Sequence, residues 1–202
     1  GNRRIQRFSR EFRRLGSVFV DVAEFEGTLG VGDLTRREGA GSASGRPVGV
    51  ATSDEDDLFA VDESANVVLK WDATLNPERV IGAFGSGDGQ LVAPTALATD
   101  GDRLIHVADA GRRALISFDL FGAFVRRVPM PAGETPTGVD VTTSGRVLLA
   151  TPRHVYGIDG GEIVFALEPD VGAPIVDVAA HEGTLYVLTG NALYRMALSP
   201  LE

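Results

Sequence analysis

The 202-residue chain contains no cysteine. Disulfides, thiolate metal sites and cysteine nucleophiles are therefore excluded, and the redox compartment is left open. Lysine is almost missing as well: Lys70 stands alone beside 18 Arg, a bias of composition that carries no functional reading. No apolar run approaches the ~18 residues of a membrane-spanning helix, so no membrane span is expected. No signal peptide is visible, although a chain that starts at Gly1 leaves room for one upstream. Asparagine is scarce, at positions 2, 66, 76 and 191 only. What remains is ordinary globular composition, 44% hydrophobic and 23% charged, in a length that suits one large domain or two small ones.

The net charge of −9 is unevenly spread. Residues 1–17 carry Arg3, Arg4, Arg7, Arg10, Arg13 and Arg14 against Glu11, a sum of +5, which leaves −14 on the remainder. An acidic body repels nucleic acid and anionic membrane and attracts cationic surfaces. The basic arm can bind an anion or lie across the acidic body of its own chain, and the second reading is the simpler.

Self-similarity organises the rest. "VDVAEFEGTLGV" at Val20–Val31 returns as "VDVAAHEGTLYV" at Val176–Val187, with nine of twelve positions identical at an offset of 156. "LFAVDESANVVLKWD" at Leu58–Asp72 returns as "IHVADAGRRALISFD" at Ile105–Asp119, with an aromatic, Trp71 or Phe118, just before the last Asp. Recurrent starts lie at Pro47, Pro94, Pro136 and Pro174, and the offset adds Val18. The spacings of 29, 47, 42 and 38 are those of propeller blades of four short strands each. Val48/Val50, Val139/Val141 and Val176/Val178 alternate with period two. Gly49, Ala96 and Gly138 fall between apolar positions, where small residues let innermost strands crowd together.

From Gly85 the stretch "GSGDGQLVAPTALATDGDRLIHVADAGRRALISFD" resembles the NHL repeat family: Gly-rich loop, Pro, innermost strand, turn, a hydrophobic-x-V-A-D strand, turn, and x-x-F-D. "NRRIQRFS" near the N-terminus is similar to the family's third strand, with Phe8 in the place of Trp71 and Phe118. Two units have Thr151 and Thr189 near the place of the repeated Asp. The resemblance implies an all-β propeller of four-stranded antiparallel blades. It does not imply a function, because the fold carries binding modules and enzymes alike.

Five starts predict five blades in one domain over residues 1–202, with residues 1–17 pairing into the last blade to remove an open edge. Six blades with one degraded, or a piece of a longer chain, are the alternatives. Third-strand patterns at both the N-terminus and Asn191–Leu198 claim one slot in the closing blade. A helix through Ile5, Phe8, Phe12 and Leu15 competes with the strand reading of the N-terminus.

Candidate site residues fall into two groups. Asp33, Asp62 and Asp109 at the ends of second strands, with Arg112, Arg113, Arg153 and His154 in nearby loops, define a polar rim suited to a cation or polar ligand. Against that, a repeated Asp is normally a turn cap that accepts backbone N–H groups. Asp21, Asp140 and Asp177 lie within "VDV" triplets on expected innermost strands. If they face the channel they can bind a divalent cation; buried without partners they are costly. His106, His154 and His181 fall on a strand and on turns at opposite faces, which is no zinc set. The lactonase and amidating-lyase propellers, to which the family resemblance extends, hold calcium or another metal with Glu, Asn, Asp or His in the channel, and no comparable set occurs here. "GAGSASG" and "GSGDGQ" lack the Lys and the following helix of a phosphate loop, and no G-x-S-x-G elbow occurs.

The sequence therefore predicts a binding or scaffold module without a cofactor, recognising a protein or peptide, with no nucleic acid partner. The alternative is a metal-dependent lactonase- or lyase-type enzyme with calcium or another divalent cation in the channel. An exported home, periplasmic or extracellular, follows from the bacterial members of the family.

Overall fold

The computed structural model describes residues 3–25 and 45–198. The first two strands, β1 (Arg4–Phe8) and β2 (Arg14–Phe19), form an antiparallel hairpin, and a 3₁₀ turn follows at Val22–Phe25. The N-terminus is thus strand, not helix, with Ile5 opposite Val18.

Three complete four-stranded sheets come next, each antiparallel and in simple sequence order. The first contains β3 (Pro47–Thr52), β4 (Leu58–Asp62), β5 (Val67–Trp71) and β6 (Pro77–Ile81). The second contains β7 (Pro94–Thr99), β8 (Leu104–Asp109), β9 (Ala114–Asp119) and β10 (Phe124–Pro129). The third contains β11 (Gly138–Val141), β12 (Val147–Ala150), β13 (Val155–Asp159) and β14 (Glu162–Leu167). The fourth sheet has three strands, β15 (Ile175–His181), β16 (Thr184–Thr189) and β17 (Leu193–Ala197).

The four sheets are blades in a propeller arrangement, joined through their innermost strands in the order β3, β7, β11, β15. Small residues make this possible. A Cβ on Gly49 would lie 3.2 Å from the Ala96 Cα of the next blade, and one on Gly138 would overlap the Asp177 carboxylate. Bonds cross between blades at the same level: Thr99 Oγ1 donates to the Thr52 carbonyl at 2.7 Å, and Thr137 Oγ1 to the Ile175 carbonyl at 3.3 Å.

The apolar residues of the central strands in the first three blades are buried on both faces, with a separate core on each side. In β4, Phe59 and Val61 pack with Leu97, Ile105 and Phe118 of the second blade. Leu58 and Ala60 pack the other way, with Val18, Val20 and Phe25. Two further cores join the second blade to the third through Leu115, Leu149 and Tyr156, and the third to the fourth through Leu148, Val155 and Val187. Trp71 and Phe118 are the buried third-strand aromatics that the repeat predicts, and Trp71 meets Phe25 edge-on at 5.2 Å.

Three expectations are corrected. Among the described residues there are four blades, not five or six. The start at Val18 fails because Arg14–Phe19 finds an antiparallel partner earlier in the chain, so Val18 stands on an outer strand of the hairpin. Of the copy, Val22–Phe25 forms a 3₁₀ turn instead of a strand, and residues 26–31 lie outside the described residues. The N-terminal segment also does not complete the last sheet: β1 pairs with β2 alone, and β17 with β16. The hairpin instead stacks on the outer face of the first blade, where Arg7 makes a 3.3 Å ion pair with Asp56 and donates to the Ala73 carbonyl. In that setting Phe8 is exposed rather than a core aromatic. Among the described residues no packing comparable to that of the other neighbours joins β15 to β3.

Candidate functional site

In an antiparallel blade, the loops between blades and the turns from second to third strand lie at one end, and the rim residues belong there. Asp62 and Asp109 are the last residues of β4 and β8 and are wholly buried. Asp62 Oδ1 accepts from the Arg46 and Ser64 amides, each at 3.0 Å, and from the Ser64 hydroxyl at 2.6 Å. Asp109 accepts from Val92, Ala93 and Arg112 amides at 2.8–3.0 Å. Thr151 and Thr189 do the equivalent work in the last two blades: their Oγ1 atoms accept from the His154 and Ala192 amides, each at 3.1 Å. The repeated polar residue is therefore a loop-building device. Asp33 lies outside the described residues.

Arg112 belongs to the same device. Its guanidinium donates to the carbonyls of Gly87 and Gln90, both at 2.8 Å. Arg113 adopts a left-handed backbone, φ 46°, in the turn beside it, and its side chain is exposed. Arg153 and His154 form a second cluster on the third blade. Arg153 pairs with Glu168 at 3.2 Å, and His154 Nδ1 lies 2.8 Å from Glu134 Oε1. The Tyr156 ring stands 5.6 Å from the His154 ring. Burial first, and then the Glu134 carboxylate, raise the Tyr156 hydroxyl above its ordinary pKa. Glu134, Tyr156 and Glu168 were not singled out in the sequence. Their signal is weak, because they come from a loop, a strand and a second loop that only the blade brings together.

The three "VDV" aspartates are not equivalent. Asp140 and Asp177 stand on the adjacent innermost strands β11 and β15. Asp140 Oδ2 accepts from the Ala180 amide at 2.7 Å, and Asp177 Oδ1 from the Val178 amide at 2.9 Å. Burial raises both pKa values, and the Asp140 charge raises that of Asp177 further. Asp21 lies apart, immediately before the 3₁₀ turn, where its charge helps raise the pKa of Glu24 after burial has done most. Among the described residues no group of three or more His, Asp or Glu is placed to hold a metal ion. His106 lies in β8, His154 in the β12–β13 turn and His181 at the end of β15.

No helix among the described residues is long and apolar enough to cross a membrane. No family model matches the sequence, and no curated protein matches it. Solved structures do match. Virginiamycin B lyase from Staphylococcus aureus superposes with a TM-score of 0.65 at 10% identity, over 98% of this chain and 64% of that one. Hydrazine synthase from Kuenenia stuttgartiensis gives 0.63 at 18% identity, over 76% and 46%. The β-propeller domain of Swd1 from Myceliophteria thermophila gives 0.62 at 16%, over 76% and 53%. The chain thus spans about half to two thirds of the length of the structures that it matches. At these identities the likeness carries the fold and nothing finer, and the fold it carries is the β-propeller.

Proposed function

We propose that the chain is a non-enzymatic binding module of NHL-repeat type that recognises a protein or peptide through the loops of its propeller rim. One observation carries this reading: the rim divides its polar groups by task. Asp62, Asp109 and Arg112 are consumed in holding the loops, and this leaves Arg153, 74% exposed, and Glu168 presented on a stiff frame. A rigid scaffold with exposed, varied loop tips is the usual design of a recognition surface. The −14 of the body favours partners with cationic surfaces. An exported home, periplasmic or extracellular, accompanies the reading on the strength of the family resemblance alone.

Panning a random peptide library against the full chain tests it. The expected result is a family of basic peptides whose binding falls at least tenfold in the Glu134→Gln/Glu168→Gln double variant. Absence of any enriched motif sinks the proposal, as does a motif that binds the double variant equally well.

A second reading has its own observation. Asp140 and Asp177 lie on adjacent innermost strands, burial raises both pKa values and the Asp140 charge adds to that of Asp177; a divalent cation such as calcium would relieve that repulsion. On this reading the chain is a metal-dependent enzyme of lactonase or lyase type, with the cation in the channel. Stoichiometric metal on elemental analysis, with a melting temperature that rises with calcium and ceases to do so in Asp177→Asn, is its expected result.

A further inference from the structure

A cavity of about 390 Å³ opens between the second and third blades, at the end of the sheets opposite the rim. Its second-blade wall carries Arg103, from the β7–β8 turn, His106 and Arg126. Its third-blade wall carries two glycine turns, at Gly145 and at Gly160–Gly161. The floor is apolar and includes Leu115, Val147 and Ile158. Three features set this cavity apart from an accidental gap between blades.

The first is His106, only 2% exposed yet polar, between Ile105 and Val107, which are apolar core. Its Nδ1 lies 3.0 Å from Ser117 Oγ, directly across the β8–β9 pair. Burial, with Arg126 and Arg103 adding to it against Asp100, holds its pKa down to about 4, so the ring is neutral at pH 7. In the tautomer whose Nδ1 accepts from the Ser117 hydroxyl, the ring proton is on Nε2 and is a donor for the cavity.

The second is the inequality of the two arginines. Arg103 is already matched, at 3.4 Å by Asp100 and at 3.5 Å by Asp102. Arg126 is half-buried in β10 and pairs with no carboxylate among the described residues. A half-buried guanidinium with no counter-charge is expensive, and an anion in the cavity would supply the missing partner.

The third is the glycine turn facing it. Gly160 and Gly161 have φ of 58° and 97°, the left-handed pair of a two-residue hairpin. A Cβ on Gly161 would come within 3.2 Å of Arg126 Cδ and 3.3 Å of its terminal nitrogen. The absence of a side chain there keeps the guanidinium uncovered.

We propose that this inter-blade cavity binds a small monocarboxylate with an apolar body. Arg126 takes the carboxylate, His106 Nε2 donates a second hydrogen bond, and the apolar body lies over Leu115, Val147 and Ile158. A single unmatched cation, with Asp159 also on the wall, selects one negative charge over two. The volume lies within the range of small-molecule sites.

Hexanoate is the probe, titrated into the full chain by calorimetry. Methyl hexanoate serves as the neutral control, acetate as the control without an apolar body, and inorganic phosphate as the dianion. Saturable hexanoate binding is expected, at least tenfold tighter than acetate or phosphate, absent for the ester, and weakened at least tenfold in Arg126→Gln. The ¹⁵N resonance of His106 Nε2 should move on saturation, a readout that holds even if the variant does not fold. No saturable binding, equal binding of the ester, preference for phosphate, or a stationary Nε2 resonance would each overturn the assignment.

Discussion

Asp109 and Arg112 grip the same inter-blade loop from opposite sides of its backbone. The carboxylate takes the N–H groups of Val92 and Ala93, and the guanidinium donates to the carbonyls of Gly87 and Gln90. The carboxylate also caps the turn that positions the arginine, by accepting the Arg112 amide at 2.9 Å. Two side chains three positions apart thus hold both donors and acceptors of residues 87–93, beside backbone bonds such as that from the Leu91 amide to the Ala83 carbonyl.

Asp109→Ala should therefore be costly. It strands three backbone N–H groups in a buried setting, and stranded buried donors cost about 1–3 kcal/mol each before relaxation. We expect a net loss of about 3 kcal/mol by urea denaturation, with Arg112→Ala costing less because its carbonyl partners lie nearer solvent. Equal, small effects of the two variants would contradict the shared-loop account.

Lys70, the one lysine, lies on β5 with only 5% exposure. Its ammonium meets Asp57 at 2.8 Å and Glu78 at 3.0 Å, and it stands 5.8 Å from the Phe59 ring centre. Removing the cation leaves Asp57 largely buried without its partner. Lys70→Met should cost about 3–5 kcal/mol, the range for breaking a buried pair from one side. The double variant Lys70→Met/Asp57→Leu should recover much of that loss. Chemical denaturation of the two variants and the parent measures both quantities.

The pH dependence of stability follows from His106. Its folded pKa of about 4 lies below the ordinary 6.5, so the unfolded chain binds the proton more readily. Stability should hold above pH 6.5, fall as the pH drops from there toward 4, and stop falling below the folded value. The full loss is about 3 kcal/mol, since each tenfold difference in proton affinity between the folded and unfolded chain is worth about 1.4 kcal/mol. Asp140 and Asp177 act the other way. Their folded values are raised, so the folded state takes up their protons first and gains stability as the pH falls through them. Asp72 is held at about 2 by N–H and hydroxyl donors from Asn76 and Thr74, so its contribution is lost only below its unfolded value of 3.8. Unfolding free energies at pH 7, 5.5 and 4.5 should show a decline that shrinks in His106→Gln.

Much of the architecture was legible because the repeat is written in residues with a backbone task. The starts at Pro47 and Pro94 open β3 and β7, and those at Pro136 and Pro174 precede β11 and β15 by two residues and one. The sequence set Thr151 and Thr189 only near the place of the lost Asp; their hydroxyls cap the same turns, as any short side-chain oxygen can. The copy at Val20–Val31 misled because strand identity is decided by the partner, and Val18 already had Ile5. The site was less legible. Glu134 and Tyr156 reach His154 only through the fold, and Arg126 looks like any exposed strand arginine until Gly161 is seen opposite it. Asp140 and Asp177 were singled out from the sequence by their triplets, but their relative placement was not legible there: Asp177 lies beside Gly138, and Asp140 beside Ala180.

Among the described residues β15 and β3 lack the packing that joins the other neighbours, so the couplings described form a series and not a loop. Each blade is held by its neighbours along the chain, so stability adds link by link, as in a stacked-repeat protein. Among the described residues the last sheet has a packed core on one side, and Val176, Leu188 and Leu193 are exposed, the last by 65%. The second blade has cores on both sides. Thermal opening should then start at the β15–β17 end and travel inward, and the amides of β8 and β9 should be the last to exchange with solvent.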